Sequence, residues 1–202
     1  AVDYRYLNAV TSLAKVRGIG SNYSMDSQFM KLNYSYASKY LLAFTLRRDA
    51  SSRFGNNHNS GIFPSVSAGW RISSEKFMEK THAWLDDLKL RASWGIVGKA
   101  PDADYLFYST YNTSSGRYGK GNSLLTVATI DGLKLDDLRW EKTTSYNLGF
   151  NLGFFNDMIE MDFDYYHKST KDLLMKGVAI PTTTGYSSVS YANVGKMNND
   201  GW

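Results

Sequence analysis

Residues 145–166 read SYNLGFNLGFFNDMIEMDFDYY, and this stretch decides the fold class. From Tyr146 to Phe154 every second residue is apolar, and the residues between them are Asn or Gly. From Ile159 to Tyr165 every second residue is again apolar, and a carboxylate follows each of the first three. A period of two is that of a β-strand with one apolar and one polar face. Asn156 and Asp157 tolerate a positive φ, so the stretch predicts a hairpin with a two-residue turn.

The turn also predicts which residues face each other across this hairpin. Apolar residues oppose apolar residues in three pairs, namely Phe154–Ile159, Leu152–Met161 and Phe150–Phe163. On the other face Asn151 opposes Asp162. A slip of one residue would destroy this match, so the turn and the pattern support each other.

A second hairpin follows the same logic nearer the start of the chain. Its predicted turn is Ala37-Ser38-Lys39, which places Tyr36 opposite Tyr40. The pairs Tyr34–Leu42, Leu32–Phe44 and Met30–Leu46 then share one apolar face.

Three further strands and their connections complete the predicted sheet. Alternation predicts strands at 65–72 and 88–95, and a weaker seventh strand at 189–198. Long loops at 49–61, 98–139 and 169–188 fall on one side of the sheet, and the tight turns fall on the other. The exception is 74–87, where a short helix is predicted. Short turns on one side and long loops on the other are typical of outer-membrane barrels.

Composition excludes several other classes of protein. The net charge is +4 with no basic block, so nucleic-acid binding has no electrostatic footprint. The chain has no Cys, its three His lack metal-ligand spacing, and no pair of residues suggests catalysis, so we predict no cofactor, no metal site and no enzyme. No run of about 18 apolar residues exists that could form a transmembrane helix. The 15 Tyr, 10 Phe and 5 Trp suit a boundary between an apolar and an aqueous environment, such as a membrane–water interface.

These patterns predict an all-β, antiparallel transmembrane β-barrel, of which the chain supplies about seven strands. In a barrel the apolar face meets lipid and the polar face lines the lumen. The lipid-facing residues are then Leu32, Tyr34, Leu42, Phe44, Leu46, Trp70, Leu90, Trp94, Leu148, Phe150, Leu152, Met161, Phe163 and Tyr165. The lumen-facing residues are Lys31, Asn33, Arg47, Arg71, Lys89, Arg91, Asn147, Asn151, Glu160, Asp162 and Asp164. A soluble β-sandwich would bury the same apolar faces in a core and remains the alternative.

The end of the chain predicts that the barrel is incomplete. Seven is an odd number of strands, whereas bacterial single-chain barrels normally have an even number. Residues 198–201 are expected to form another short turn, with Trp202 beginning the next strand. A membrane does not tolerate an unpaired edge, so the 202 residues are expected to be part of a larger barrel.

Several motifs resemble one family of bacterial outer-membrane proteins. Residues 48–55, RDASSRFG, resemble the R-D-G-S-S-R-F-G motif of SusC/RagA-type TonB-linked transporters, with Ala50 where the family usually has Gly. Further stretches follow in the family's order, namely FPSVSAGWR at 63–71, LKLRASWG at 88–95, WEKT at 140–143, NLG at 147–149, DYYHKSTKDLL at 164–174 and NVGKM at 193–197. The resemblance covers residues 24–202, and residues 1–23 are expected to be a variable extracellular loop region.

The resemblance implies a function for the whole protein. It would be a plugged barrel of about 22 strands in the outer membrane of a Gram-negative, Bacteroidetes-like bacterium, with its long loops extracellular. It would import glycans or peptides, driven by a TonB complex and capped by a SusD-like surface lipoprotein. The present chain would be a C-terminal part of the barrel, without the plug domain or the TonB box.

Aromatic residues in the 98–139 loop are the candidate substrate site. Aromatic faces stack on sugar rings and on peptide side chains, so one interpretation is that these residues contact the substrate. The other is that they pack against neighbouring loops or a partner protein. The residues are Tyr105, Phe107, Tyr108, Tyr111 and Tyr118. Two other functions stay open, a non-transporting surface binding or adhesion barrel and a soluble carbohydrate-binding β-sandwich.

Overall fold

The computed structural model describes residues 20–55, 57–81, 83–109, 111–120, 123–130, 132–156, 158–186 and 188–202. Of 112–120 and 123–129 it describes the backbone alone. Most of the predicted outer loop at 1–23 therefore lies outside the described residues, as do Asp157 of the predicted turn and His82.

The main structure is an antiparallel sheet of seven strands in the order β1-β2-β3-β4-β7-β8-β11. Their bounds are β1 Met25–Tyr36, β2 Tyr40–Ser51, β3 Ser60–Arg71, β4 Leu85–Lys99, β7 Glu141–Phe154, β8 Ile159–Lys171 and β11 Lys196–Gly201. Two separate hairpins lie in the connections, β5 Tyr111–Lys120 with β6 Ser123–Ile130, and β9 Leu174–Ala179 with β10 Ser188–Asn193. No helix among the residues described is both long and apolar enough to cross a membrane.

Both predicted hairpin registers are confirmed. Tyr36 pairs with Tyr40, and the pairing continues without a shift to Met25 and Ser51. Ala37 and Ser38 adopt left-handed φ angles of 50° and 56°, which lets Lys39 N–H donate to the Tyr36 carbonyl at 3.0 Å. Such angles match the twist of the flanking strands and keep the hairpin tight.

The β7–β8 hairpin has the predicted pairing but a different turn. Phe154 pairs with Ile159 and Asn151 with Asp162, as the apolar pattern predicts. The left-handed residues are Phe155 and Asn156, with φ angles of 56° and 57°. The turn therefore begins one residue earlier than the Asn156-Asp157 pair suggested.

The predicted seventh strand at 189–198 is wrong. Gly195 has a φ of 100°, and this left-handed residue divides the segment into two strands. Before it, β10 pairs with β9 in a separate hairpin; after it, β11 pairs with β8 in the main sheet. The predicted turn at 198–201 is also wrong, because Asn198 to Gly201 pair with Ser169 to Tyr166.

The long loops are shorter than predicted, and they contain further strands. Strands β2 and β3 extend to Ser51 and from Ser60, so only residues 52–59 connect them. The 98–139 segment contains the β5–β6 hairpin, and the 169–188 segment contains the end of β8 and all of β9. The short helix predicted within 74–87 is present as the 3₁₀ helix Lys76–Thr81, and another 3₁₀ helix, Ile72–Ser74, precedes it.

A small hydrophobic core lies at the long-loop end of the sheet. Its buried members are Phe54, Phe63, Leu138, Trp140 and Tyr191. The Trp140 ring lies 4.8 Å from the Phe54 ring and 5.5 Å from the Phe63 ring, between centroids. The loops after β2, β4 and β6 thus share one core with the β9–β10 hairpin.

Candidate functional site: a two-faced wall and its outer loops

The continuous register gives the main sheet one apolar face. Cross-strand partners point to the same side of a sheet, so the alternation established in β7 and β8 extends across all the long strands. Phe150 and Phe163 stack with ring centroids 5.3 Å apart, and Tyr40 and Trp70 stack at 6.4 Å. The side chains are open to the surroundings, with Leu148 60% and Leu32 58% exposed. All the residues predicted to meet lipid share this face, and what the face contacts stays a prediction.

The opposite face is polar, and several of its side chains contact one another across strands. Arg91 Nη2 donates to Asp164 Oδ2 at 3.0 Å, from β4 across β7 to β8. Asn147 Nδ2 donates to Ser93 Oγ at 3.2 Å, and Asn151 Nδ2 donates to Asp162. All eleven residues predicted to face the lumen share this face, and their contact with a lumen stays a prediction.

Small residues allow this pairing on the polar face. Gly149 stands beside Asp164 in the register, and a Cβ added to it would lie 2.1 Å from Asp164 Oδ1 and 2.8 Å from the Phe163 carbonyl. The position therefore requires glycine because the Phe163 carbonyl and the Asp164 carboxylate occupy the space that a Cβ would need.

At the short-turn end, the Glu75 carboxylate accepts hydrogen bonds from two aromatic residues. Glu75 accepts hydrogen bonds from Tyr40 Oη at 2.8 Å and Trp70 Nε1 at 3.3 Å, and its salt bridge with Lys39 Nζ is 3.1 Å long. These donors, the Tyr40 hydroxyl first, lower the pKa of Glu75. Tyrosine and tryptophan favour a site where one end is apolar and the other is polar. The cluster was missed at the sequence level, because Glu75 is thirty-five residues from Tyr40.

At the long-loop end, Arg53 of the RDASSRFG motif joins two loops. Its Nε donates to Asp104 Oδ1 at 2.7 Å, and its Nη1 donates to the Pro101 carbonyl at 3.0 Å. The guanidinium also lies 4.4 Å from the centroid of the Tyr23 ring. Pro101 is completely buried. The motif residue therefore has a structural role among the described residues.

Asn193 and Glu141 fasten the β9–β10 hairpin to the main sheet. Asn193 Oδ1 accepts from Arg139 N–H at 2.8 Å, while its Nδ2 donates to the carbonyls of Arg139 and Asp172 at 2.9 and 2.8 Å. Glu141, which is buried, accepts from Leu174 N–H at 2.9 Å. Both residues lie in motifs that resemble the family, but spacing alone gave no sign of these contacts.

A polar link also joins the loop after β2 to the segment before β7. Asp137 Oδ1 lies 2.8 Å from His58 Nε2, and Arg139 Nη2 donates to both Asp137 oxygens at 3.1 and 2.9 Å. Arg139 and then His58 lower the pKa of Asp137. Groups of His, Asp or Glu that could hold a metal ion are absent from the residues that the structure describes.

Three of the five candidate aromatic residues lie together. The Phe107 and Tyr108 ring centroids are 4.4 Å apart, and those of Tyr105 and Tyr108 are 6.3 Å apart. Tyr108 is 59% exposed, whereas the Tyr105 hydroxyl accepts from Asn22 N–H at 2.8 Å. Tyr111 is exposed at the start of β5. Tyr118 lies on β5 opposite Leu125, and its side chain is outside the described part.

Comparison with known proteins agrees with this architecture. The chain matches the family model "TonB dependent receptor-like, beta-barrel" over residues 1–202. It is 38% identical over 182 residues to TonB-dependent receptor P39 of Formosa agariphila, covering 90% of this chain and 17% of that protein. It is also 38% identical over 181 residues to TonB-dependent receptor SusC of Bacteroides thetaiotaomicron, covering 88% of this chain and 18% of SusC.

Solved structures show the same fold. A chain of the RagAB peptide importer in the open-open state superposes with a TM-score of 0.76 at 29% identity, covering 98% of this chain and 21% of that one. The closed-closed state gives a TM-score of 0.74 at 32% identity, covering 88% and 19%. The chain thus spans about a fifth of the length of its relatives. The predicted antiparallel barrel wall is confirmed, and the chain belongs to the TonB-dependent receptor β-barrel family, among its SusC/RagA-type members.

Proposed function

We propose that this chain is the wall section of an outer-membrane importer for large polar nutrients, either oligosaccharides or peptides. The observation that carries the proposal is the unbroken two-faced register of the seven-stranded sheet. Its apolar face is proposed to meet lipid, and its polar face to line the lumen and contact the plug. Relatives of this chain include a receptor named SusC and the RagAB peptide importer, which support the import reading.

The outer partner is proposed to be a SusD-like surface lipoprotein, and the energy source a TonB complex acting through parts outside this sequence. The β5–β6 and β9–β10 hairpins and the core of Phe54 and Trp140 form the end of the wall on which such a lipoprotein would sit. In this orientation the long-loop end is extracellular and the Glu75 end is periplasmic. Outer-membrane barrels generally place their long loops outside.

The cluster of Tyr105, Phe107 and Tyr108 is proposed to contact the nutrient. Its rings present apolar faces near the outer mouth, and Tyr108 is the most open of the three. Flat apolar faces stack on sugar rings and on peptide side chains alike, so the cluster fits both substrate classes.

The test is an uptake assay with the full-length transporter returned to a strain that lacks it. Cells are given fluorescent oligosaccharides and peptides, with and without a functional TonB complex. Uptake that depends on both the transporter and TonB is the expected result. Surface binding without uptake, unchanged by loss of TonB, would overturn the proposal and support an adhesion barrel instead.

A further inference from the structure

Three lysines lie side by side on the apolar side of the sheet, at its long-loop end. Lys171 of β8 pairs directly with Lys142 of β7 and with Lys196 of β11. By unbroken alternation from Phe150 and Phe163, all three side chains lie on the face that carries the apolar residues. All three lysines are exposed.

The three lysines bring their positive charges together without a direct salt bridge to any residue that the structure describes. None of the three ammonium groups forms an ion pair there, whereas Lys39, Lys134 and Lys176 each have a carboxylate partner. Like charges directly opposite each other destabilise a sheet, so the row favours a shared anionic ligand.

On β7, β8 and β11 two polar rows separate the lysine row from the apolar band. The first contains Tyr146, His167 and Asp200, in which His167 contacts Asp200 and the Tyr146 ring lies 6.3 Å from the His167 ring. The second contains Thr144, Ser169 and Asn198, and Ser169 Oγ donates to Asn198 Oδ1 at 2.9 Å. On these three strands a row that begins with Tyr146 is followed by a row of hydroxyl and amide side chains and then by a cationic row, which is the order of groups from the acyl boundary of a lipid outward.

The height of the lysine row indicates the kind of head group. Lys142 is six residues beyond Leu148, which is about 20 Å along a strand and about 15 Å in height for a strand tilted as in barrels. The head-group layer of a phospholipid bilayer extends only about 5–7 Å beyond the hydrocarbon. Even with its side chain bent toward the membrane, a lysine at this height reaches only the outer edge of the phospholipid head groups, whereas phosphates carried on a sugar head group lie within its range.

We propose that Lys142, Lys171 and Lys196 bind the phosphates of a phosphorylated glycolipid in the outer leaflet, with Thr144, Ser169 and Asn198 facing its sugars. This inference rests on the proposed orientation, with the apolar face in lipid and the long loops outside. The site is on the outside of the wall, away from the nutrient path.

The experiment uses the purified full-length transporter in detergent and three lipid probes. The probes are lipid A, dephosphorylated lipid A and phosphatidylglycerol, and bound lipid is measured by native mass spectrometry. The variant K142Q/K171Q/K196Q should weaken lipid A binding roughly a hundredfold, since each basic residue near an anionic surface contributes about a factor of five. The control K99Q/K168Q removes two exposed lysines from the polar face and should bind lipid A as the unaltered protein does.

Two outcomes would overturn the inference. One is equal lipid A binding by the triple variant and the unaltered protein. The other is equal binding of lipid A to the unaltered protein with and without its phosphates. If phosphatidylglycerol competes as well as lipid A, the assignment to a glycolipid is wrong, because the height argument then fails.

A second measurement separates this inference from the proposed function. A photo-crosslinking residue replaces Phe163 in the full-length protein in the native outer membrane, and lipid adducts are identified by mass spectrometry. Adducts at Phe163 together with unimpaired lipid A binding by the triple variant would reject the lysine site alone. A lack of lipid adducts at Phe163 would reject the proposed lipid-facing side itself.

Discussion

Arg53 Nε and Asp104 Oδ1 are 2.7 Å apart, and this ion pair joins the loop that follows β2 to the loop that follows β4. Both side chains are largely shielded, with 23% and 16% of their surface exposed. An ion pair in such a place is screened less by salt than one on an open surface.

Arg53→Ala is expected to loosen the outer loops without unfolding the sheet. The change removes a charged hydrogen bond to Asp104 and leaves the Pro101 carbonyl unpaired, at a cost of about 2–4 kcal/mol. Limited proteolysis of the full-length protein in intact cells should show new cleavage near residues 100–109. Arg53→Lys is the matched variant, which keeps the charge but not the paired donors and should give partial protection. Unchanged cleavage in Arg53→Ala would contradict the structural role.

Gly149→Ala is expected to destabilise the wall. Its new Cβ would meet Asp164 Oδ1 at 2.1 Å and so displace the partner of Arg91. Overpacking of this kind typically costs about 1–3 kcal/mol. The shift of the barrel from its folded to its unfolded gel mobility on heating should occur at a lower temperature. Gly132→Ala, which has nothing within 4 Å of the added Cβ, should leave that temperature unchanged.

A charged residue should be tolerated on only one face of β7. Leu152→Arg places a charge on the proposed lipid side and should cost up to about 2–4 kcal/mol, depending on depth. Asn151→Arg, one residue away, points to the polar face beside Asp162 and should be accommodated. The measurement is the amount of folded protein in isolated outer membranes. Equal loss in both variants would argue against the assignment of the two faces.

The contact of Asp137 with Arg139 and His58 should depend on pH. The folded pKa of Asp137 is lowered, so its stabilising contribution is present above the ordinary value of 3.8 and is lost as the pH falls through the folded value. Spin labels on Asn57 and Lys134 of the full-length protein should stay at a fixed distance at neutral pH and separate in strong acid. Asp137→Asn should show the wider distance at every pH. A distance that does not change in acid would refute this prediction.

Tyr108→Ala is expected to weaken nutrient binding if the aromatic cluster contacts the substrate. Loss of one aromatic contact is worth about 0.5–1.5 kcal/mol, so Kd should rise by about 2- to 13-fold. Binding of the transported nutrient to the purified importer complex can be measured by calorimetry. Tyr186→Ala, in the loop between β9 and β10, serves as the control and should bind normally. If Tyr108→Ala leaves Kd unaltered, the cluster does not contact the nutrient, and its rings pack against other loops or a partner instead.

The sequence was sufficient for the parts of the fold that rest on short-range pattern. Phe150, Leu152 and Phe154 alternate so regularly with Asn and Gly that this pattern and a short turn together predicted the register with β8. The division at Gly195 was not predicted, because the alternation in residues 189–198 is weak and a single Gly inside a strand pattern also fits a β-bulge. The β5–β6 hairpin did leave a signal, since Gly121-Asn122 precedes the β-branched run up to Ile130.

The contacts at the long-loop end were beyond sequence reasoning for a different reason. Arg53 and Asp104 are fifty-one residues apart, and Asn193 and Arg139 are fifty-four apart. Such contacts depend on how several loops pack against each other at one end of the sheet, and the alternation of residues within a strand does not predict that packing. Of the candidate aromatic residues, Tyr105, Phe107 and Tyr108 lie together, while Tyr111 lies at the start of β5 and has no ring contact with them. Their contact with a substrate stays a prediction.

The contacts of Arg53 and Asn193 have a consequence for how members of this family can differ in sequence. Each of the two accessory hairpins lies between residues held by such contacts, Asp104 and Arg139 for β5–β6 and Leu174 and Asn193 for β9–β10. The length and sequence of each hairpin can therefore change while these contacts stay in place. The β5–β6 or the β9–β10 hairpin could then be exchanged between relatives while the sheet of seven strands stays unchanged. A hairpin grafted from a relative between the same contacts is expected to leave the main sheet folded.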